Sequence, residues 1–332
     1  MSTATRDQLI AQLEETRKSR IITYLTSDRE PFRAQIALDV LPLFYQALQT
    51  IGHTTRISLY LYSAGGNLDA PWPLTNLLRE YCDQIEILVP FRALSAATLL
   101  ALGADCIVMT PLSQLSPIDP EGTFITEGKP QNISVEDVAS YIEFAKEKIG
   151  IAESQPLSDV LRLLTQEIKP SILGSLNRTH ARIRRLGRNM LQLHLKEPKH
   201  DTAITEIVNN LTQLLGSHNH LINRREARDS IGFREMIEYA NEETERFMQD
   251  LFASYSKDLE LNRPFDPLKL LTENETSKDF VVHQAYIESR EVSHVFETPL
   301  RVQVNQETHQ FNVQPRGVAS WHTHLHIQET KK

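Results

Sequence analysis

Between residues 20 and 111 the chain alternates short apolar runs with segments of helical spacing. That alternation restricts the fold more than any other feature of the sequence. RIITYLT (20–26), RISLYLYS (56–63), IEILVP (85–90) and CIVMTP (106–111) are short, nearly continuous apolar runs of the kind that form strands buried on both faces. IALDVLPLFYQALQTIG (36–52), PLTNLLREYCDQ (73–84) and SAATLLALGAD (95–105) lie between them with the spacing of helices. A βαβαβ order predicts an α/β fold, a parallel sheet whose strands are joined by crossover helices.

Beyond about residue 133 the pattern is mostly helical. ISVEDV opens one helix, with Ser134 as cap and acidic residues in the first turn. LSDVLRLLTQEI, RTHARIRRLGRNMLQLHL, TAITEIVNNLTQLLG and FREMIEYANEETERFMQDLF read as further helices, and DFVVHQAYIE, VSHVFET and LRVQVN as short strands. The proline-containing polar stretch ELNRPFDPLKLLTENETS marks the boundary between the two regimes. The expected organisation is an N-terminal helix over 1–19, a main domain over 20–260, and a linker with a small β-rich region over 261–332.

Composition narrows the class. A chain of 332 residues with 40% hydrophobic content holds a sizeable core, and its formal net charge of −8 argues against a general nucleic-acid binder. Two cysteines, Cys82 and Cys106, are too few for a disulfide framework and suit buried thiols in a reducing compartment. MSTATRDQLIAQLEETRKSR is a charged amphipathic segment without a signal-peptide core, and no apolar run approaches the ~18 residues of a membrane span. The expectation is a cytoplasmic protein.

In open α/β sheets, functional groups collect beyond the carboxyl ends of the strands. Two such ends stand out. After RISLYLYS comes SAGGN, where Gly65 and Gly66 free the backbone to turn sharply and present N–H groups. After IEILVP comes Ser95, followed by Ala96 in the first turn of a helix. A hydroxyl there sits among unpaired N–H donors at the positive end of a helix dipole, as an acyl-transfer nucleophile requires. Serine is also a favoured N-cap, and spacing leaves both roles open.

The order SAGG, then A-x-SAATLLALGAD-x-IVM, then LSPIDP resembles the Clp/crotonase superfamily, and within it the serine dehydrogenase proteinase family related to signal peptide peptidase A. ISVEDVASYIEFAKEKIGI, NRTHARIRRLGRNML and SHNHLINRREARDSIGF are similar to segments of the same family, so the likeness runs over roughly residues 20–235. The resemblance implies a Clp/crotonase-like parallel sheet core with crossover helices, an additional helical region and a small β-rich C-terminal tail. It implies a serine peptidase acting on peptides or proteins, with Ser95 as nucleophile, the Gly65 and Ala96 N–H groups as oxyanion hole, and Gly66 shaping the turn. Phe91, Arg92 and Leu94 would line the approach. No cofactor or metal is implied, and a homo-oligomer is expected from the relatives.

The base is the open position. Clp proteases carry a histidine about where LSPIDP falls, whereas this chain has Ser116, Pro117, Ile118 and Asp119 there. Lys129, in a downstream loop, can act as base if desolvated. His218 falls near the acidic triad position of Clp proteases, His180 lies in an arginine-rich helix, and Asp119 precedes Pro120. Each also has a plain role as a solvated loop lysine, a turn histidine, a surface histidine or a turn cap. Arg178, Arg182, Arg184, Arg185 and Arg188 crowd one helix and Glu235, Glu238, Glu242, Glu243 and Glu245 another, suiting complementary contacts between helices or subunits better than a nucleic-acid groove. His322, His324 and His326 alternate, so a strand would point all three to one face, yet no carboxylate or cysteine ligand accompanies them. Two other functions stay on the table: a crotonase-type acyl-CoA enzyme, and an inactive or partner-activated scaffold. No G-x-G-x-x-G follows a strand, which argues against a dinucleotide enzyme.

Overall fold

The computed structural model describes residues 5–118, 121–126, 129–134, 138, 140–141, 143–149, 154–214, 219–271, 275–304 and 311–326. It is a mixed α/β structure built on a nine-stranded sheet. Its parallel half has the order β10-β5-β3-β2-β1, with β1 Arg20–Thr26, β2 Thr54–Tyr62, β3 Cys82–Val89, β5 Cys106–Met109 and β10 Ile237–Tyr239. Helices α2 Leu41–Ile51, α3 Pro71–Arg79 and α4 Ala96–Ala101 connect these strands. Helix α1 Arg6–Arg17 begins with a capping box in which Thr5 and Gln8 satisfy each other's backbone N–H groups.

Both faces of the parallel half are covered, which explains why its strands read as continuous apolar runs. Side chains alternate between two cores. Ile22, Tyr24, Ile57, Leu59, Leu61, Ile85, Ile87 and Val89 face α2, α3 and α4. Ile21, Leu25, Tyr60, Tyr62 and Leu88 face α1 and the helix Glu242–Asp258 through Leu13, Met248, Leu251 and Tyr255. Each fully buried large apolar side chain contributes about 1.5–3 kcal/mol. Asn241 caps the helix Glu242–Asp258 by accepting the Thr244 N–H at 2.8 Å. Glu242, Glu243 and Glu245 in the first turn complement its dipole, which accounts for part of the acidic crowding.

Three boundaries differ from expectation. Helix α2 starts at Leu41, with Pro42 in its first turn, and Ile36 instead bridges to Gly66. Strand β3 takes in Cys82–Gln84, which read as helical, because Thr54 and Arg56 of β2 pair with Cys82 and Gln84. Ile237–Tyr239 read as helix but form β10, parallel to β5, and only contact with β5 selects that state.

The C-terminal strands continue the core sheet. β11 Ser277–Glu288 lies antiparallel to β1, pairing Thr23 with Glu288 and Thr26 with Ala285. β12 Val292–Val304 then pairs with β11 on one side and with β13 Phe311–Pro315 and β14 Ser320–Leu325 on the other. β12 runs through Pro299, where the sequence predicted a break between two strands. The Pro299 carbonyl accepts the Arg316 N–H at 2.9 Å, at the junction where the neighbouring edge passes from β14 to β13, so the missing proline N–H interrupts no ladder. No helix among the described residues is long and apolar enough to cross a membrane.

Smaller elements complete the described structure. A three-stranded sheet joins β4 Arg92–Ala93, β6 Gln114–Leu115 and β9 Ile222–Asn223, and a hairpin pairs β7 Glu121–Thr126 with β8 Lys129–Ser134. Helices Ser154–Glu167, Pro170–Gln192 and Asp201–Asn209 form the helical region.

Candidate active site

Ser95 occupies the N-cap position of α4 but does not cap it with its side chain. Its backbone sits at φ +52° and ψ −111°, a conformation that costs a non-glycine residue on the order of 1–3 kcal/mol. The surroundings hold it there. The Ser95 N–H donates to Ser116 Oγ at 2.7 Å, the Ser116 hydroxyl donates to the Pro117 carbonyl at 2.9 Å, and the Ser95 carbonyl accepts the Leu99 N–H at 2.9 Å. Among the described residues, the Ser95 hydroxyl makes no hydrogen bond. Thr98 does the local stitching instead: its hydroxyl donates to the Ala93 carbonyl at 2.7 Å and accepts the Ser116 N–H at 3.1 Å.

The glycine turn packs directly on this serine. A Cβ on Gly65 would lie 2.8 Å from the Ser95 Cβ and 3.0 Å from the Leu94 carbonyl oxygen, so only glycine admits the approach. Gly65 at φ +110° and Gly66 at φ +148° both need left-handed backbone. Gly66 lies against Ile36, whose N–H donates to the Gly65 carbonyl at 2.9 Å and whose carbonyl accepts the Asn67 N–H at 2.8 Å. The Gly65 N–H donates to Ser63 Oγ at 3.0 Å, which directs it into the protein. Among the described residues no acceptor engages the Gly66 N–H, and the Ala96 N–H, as the first of its helix, has no intrahelical acceptor.

Arg92, three residues before Ser95, pairs with Asp28 at 3.4 Å and lies over the Phe91 ring, 4.4 Å from its centroid. Phe91 stacks on Tyr62 and meets Phe252, on the face of the sheet covered by the helix Glu242–Asp258. Leu94 is half-buried.

Of the four base candidates, His180 has a described side chain. It is buried in the helix Pro170–Gln192, where desolvation and then the Arg184 charge lower its pKa, against a hydrogen bond with the Thr212 backbone that raises it. Lys129 begins β8, opposite Thr126, and its side chain lies outside what the structure describes; Asp119 and His218 also lie outside the described residues.

The arginine-rich helix meets partners within the chain. Arg182 pairs with Asp69 at 2.9 Å, Arg188 with Asp201 at 3.1 Å, and Arg184 donates to Thr212 Oγ1 at 2.7 Å and to Asn209. His322, His324 and His326 are exposed, and the Nδ1 of His326 lies 3.2 Å from the Arg290 carbonyl. Among the described residues, Glu86, Cys106 and Glu238 bring three ligand atoms within 4.8 Å of one another. The Arg17 guanidinium bonds both of those carboxylates, and Ser58 donates to Glu86 at 2.6 Å, so the group is a partly buried charge network tying α1 to the sheet. No local pattern signals it, because its members come from five separate elements.

No family model matches the chain. Two uncharacterized proteins of Methanocaldococcus jannaschii, MJ0137 and MJ1495, are 25% and 24% identical to it over 122 residues, 35% of this chain. The match spans 43% and 42% of their own lengths. Among solved structures, an alanine-for-serine mutant of the 1510-N membrane-bound stomatin-specific protease is 20% identical, with a TM-score of 0.27, over 39% of this chain and 62% of its own. An alanine-for-lysine mutant of the same protease, in complex with a substrate peptide, has the same identity and TM-score over 38% and 58%. At that score a shared overall fold does not follow.

Two groups at the site escaped sequence reasoning. In the sequence Ser116 stands only where Clp proteases have a histidine, and Ser63 only flanks a glycine pair. Both are small hydroxyls whose task is set by partners distant in sequence.

Proposed function

We propose that the chain is a serine peptidase with Ser95 as nucleophile. The observation that carries the assignment is the state of the Ser95 hydroxyl: it heads a helix in a strained backbone conformation, against Gly65, without capping its own helix. Strained residues held by over-determined surroundings cluster at active sites.

In the proposed cycle, Ser95 Oγ attacks the amide carbonyl, its proton passes to a base, and the tetrahedral oxyanion is held by main-chain N–H donors of the glycine turn and the head of α4. The departing amine then takes the proton, and water hydrolyses the acyl-enzyme. The Gly65 N–H is bonded to Ser63 Oγ, so the donors assigned here are the Gly66 and Ala96 N–H groups, which replaces the pairing of Gly65 with Ala96 implied by resemblance. Each such donor supplies roughly 10²–10³ in rate. The proton acceptor is Lys129 or His218, because burial and the Thr212 bond tie His180 into the helical region and an aspartate such as Asp119 is alone a weak partner for serine. Self-association is part of the proposal, supported by the exposed apolar side chains Phe144, Ile149 and Leu163.

A fluorophosphonate probe tests the nucleophile. Wild-type protein is labelled at Ser95 and the Ser95→Ala variant is not; labelling that persists in the variant overturns the assignment. Lys129→Ala and His218→Ala then separate the two bases, since loss of the true base slows labelling and the other substitution leaves it unchanged.

A further inference from the structure

We infer that Ser63 is a positioning residue that sets the donor turn and the nucleophile loop in one register; this rests on Ser95 being the nucleophile. Ser63 stands just past the end of β2 and is fully buried. Its main chain grips the loop before Ser95 on both sides: its N–H donates to the Arg92 carbonyl at 3.0 Å, and its carbonyl accepts the Leu94 N–H at 3.0 Å. Its hydroxyl grips the glycine turn. Ser63 Oγ accepts the Gly65 N–H at 3.0 Å and approaches the Gly65 carbonyl at 3.3 Å as a donor.

The hydroxyl is oriented from behind. Thr26 Oγ1, at the end of β1 and also buried, donates to Ser63 Oγ at 2.7 Å. With two donors on its lone pairs, the Ser63 proton is left to point at the Gly65 carbonyl. A Gly-Gly pair has the widest backbone freedom of any dipeptide, so something other than side-chain sterics must choose its conformation. The two contacts from Ser63 Oγ and the two from the Ile36 main chain make that choice. Holding the Gly65 N–H inward fixes the Ala64–Gly65 peptide plane, and the bonds that the Gly65 carbonyl accepts from Ser63 Oγ and the Ile36 N–H fix the Gly65–Gly66 plane, and with it the direction of the Gly66 N–H. Ser63 therefore acts through Gly65 on the oxyanion donor and touches no substrate.

The test separates a positional role from a structural one. Fluorophosphonate inactivation of wild type, Ser63→Ala and Thr26→Val is resolved into the limiting rate kinact and the binding constant Ki. Ser63→Ala is expected to lower kinact by about tenfold or more, as misplacement of catalytic groups does, with Ki within about twofold of wild type. Thr26→Val is isosteric and leaves the Gly65 to Ser63 bond in place; it is expected to lower kinact by a smaller factor, about threefold. A Ser63→Ala kinact within twofold of wild type, or a loss confined to Ki, overturns the role of Ser63 while wild-type labelling at Ser95 leaves the nucleophile intact. If Ser63→Ala lacks native near-ultraviolet circular dichroism, Thr26→Val decides, and an unchanged kinact there overturns the inference. A wild-type protein that is not labelled at all overturns the nucleophile assignment and this inference with it.

Discussion

The main-chain N–H of Ser95 is held by the side-chain oxygen of Ser116 at 2.7 Å, across 21 residues of sequence. The hold on this backbone comes from outside the helix. The serine at the head of the helix does not cap it, and the serine in the following loop anchors the head of the helix in place.

Ser95→Ala is therefore expected to cost under about 0.5 kcal/mol of unfolding free energy, against the ~1 kcal/mol typical of a capping serine. Ser95→Gly should stabilise by about 1 kcal/mol, because it relieves the positive φ. Urea denaturation reads both. A loss above about 1 kcal/mol for the alanine variant would show that the hydroxyl caps α4 in solution.

Ser116→Ala leaves the Ser95 N–H without its acceptor beside a buried loop, and an orphaned buried donor costs about 1–3 kcal/mol. Denaturant midpoints should fall accordingly, and fluorophosphonate labelling should slow because the Ser95 backbone loses its hold. Unchanged stability would mean that water replaces the serine.

The two glycines should respond differently. A Cβ on Gly66 would lie 2.4 Å from the Ile36 carbonyl oxygen, which is backbone and cannot step aside, so Gly66→Ala is expected to destabilise by about 3 kcal/mol. At Gly65 the obstacle includes the nucleophile itself, so Gly65→Ala should abolish Ser95 labelling even in protein that remains folded. Thermal unfolding and probe labelling together distinguish the cases. Labelling of folded Gly65→Ala at the wild-type rate would contradict the packing.

Acidification should weaken the fold in two windows. His180, His194 and His294 have pKa values lowered chiefly by burial, and the His194 Nε2 lies 3.0 Å from the Leu102 carbonyl as its donor. A depressed folded pKa means that stability is complete above the unfolded value of about 6.5 and declines as pH falls below it. Glu238 is lowered first by its hydrogen bond to Arg17 and adds a second loss, below the unfolded glutamate value of about 4.3, which its partial exposure keeps small. Denaturant midpoints measured across pH 4–8 should bend near the first value; a flat profile between 7 and 5 would show that the histidines titrate normally.

Burial pushes the Cys82 thiol up to about 11 and the Cys106 thiol up to about 12, so neither forms appreciable thiolate at pH 8. Native protein should resist iodoacetamide at that pH, and both thiols should react once it is unfolded. Rapid native alkylation of Cys106 would mean that the network of Glu86, Glu238 and Arg17 opens in solution.

Much of the parallel half was legible in the sequence because its strands are buried on both faces and its helices are amphipathic, so local pattern and tertiary environment agree. Arg20–Thr26 was predicted to the residue. Where the two disagree the sequence misled: Ile237–Tyr239 sit in a helical pattern, and only the free edge of β5 makes them a strand. Likewise, Pro299 announced a strand break that the β13–β14 junction makes unnecessary.

At the site, the SAGG turn and Ser95 could be named from sequence, since glycine pairs and a serine after a strand are local signals. What the hydroxyls do could not. Ser95 reads equally as a cap or a nucleophile until its hydroxyl is seen not to cap α4, and Gly65 reads as an oxyanion donor until Ser63 is seen holding that N–H inward. Sequence by itself determined where most strands, helices and the glycine turn fall, through hydrophobic period and glycine placement. The tertiary structure alone decided which way each N–H points, because a hydrogen bond is directional and its partner lies in another element.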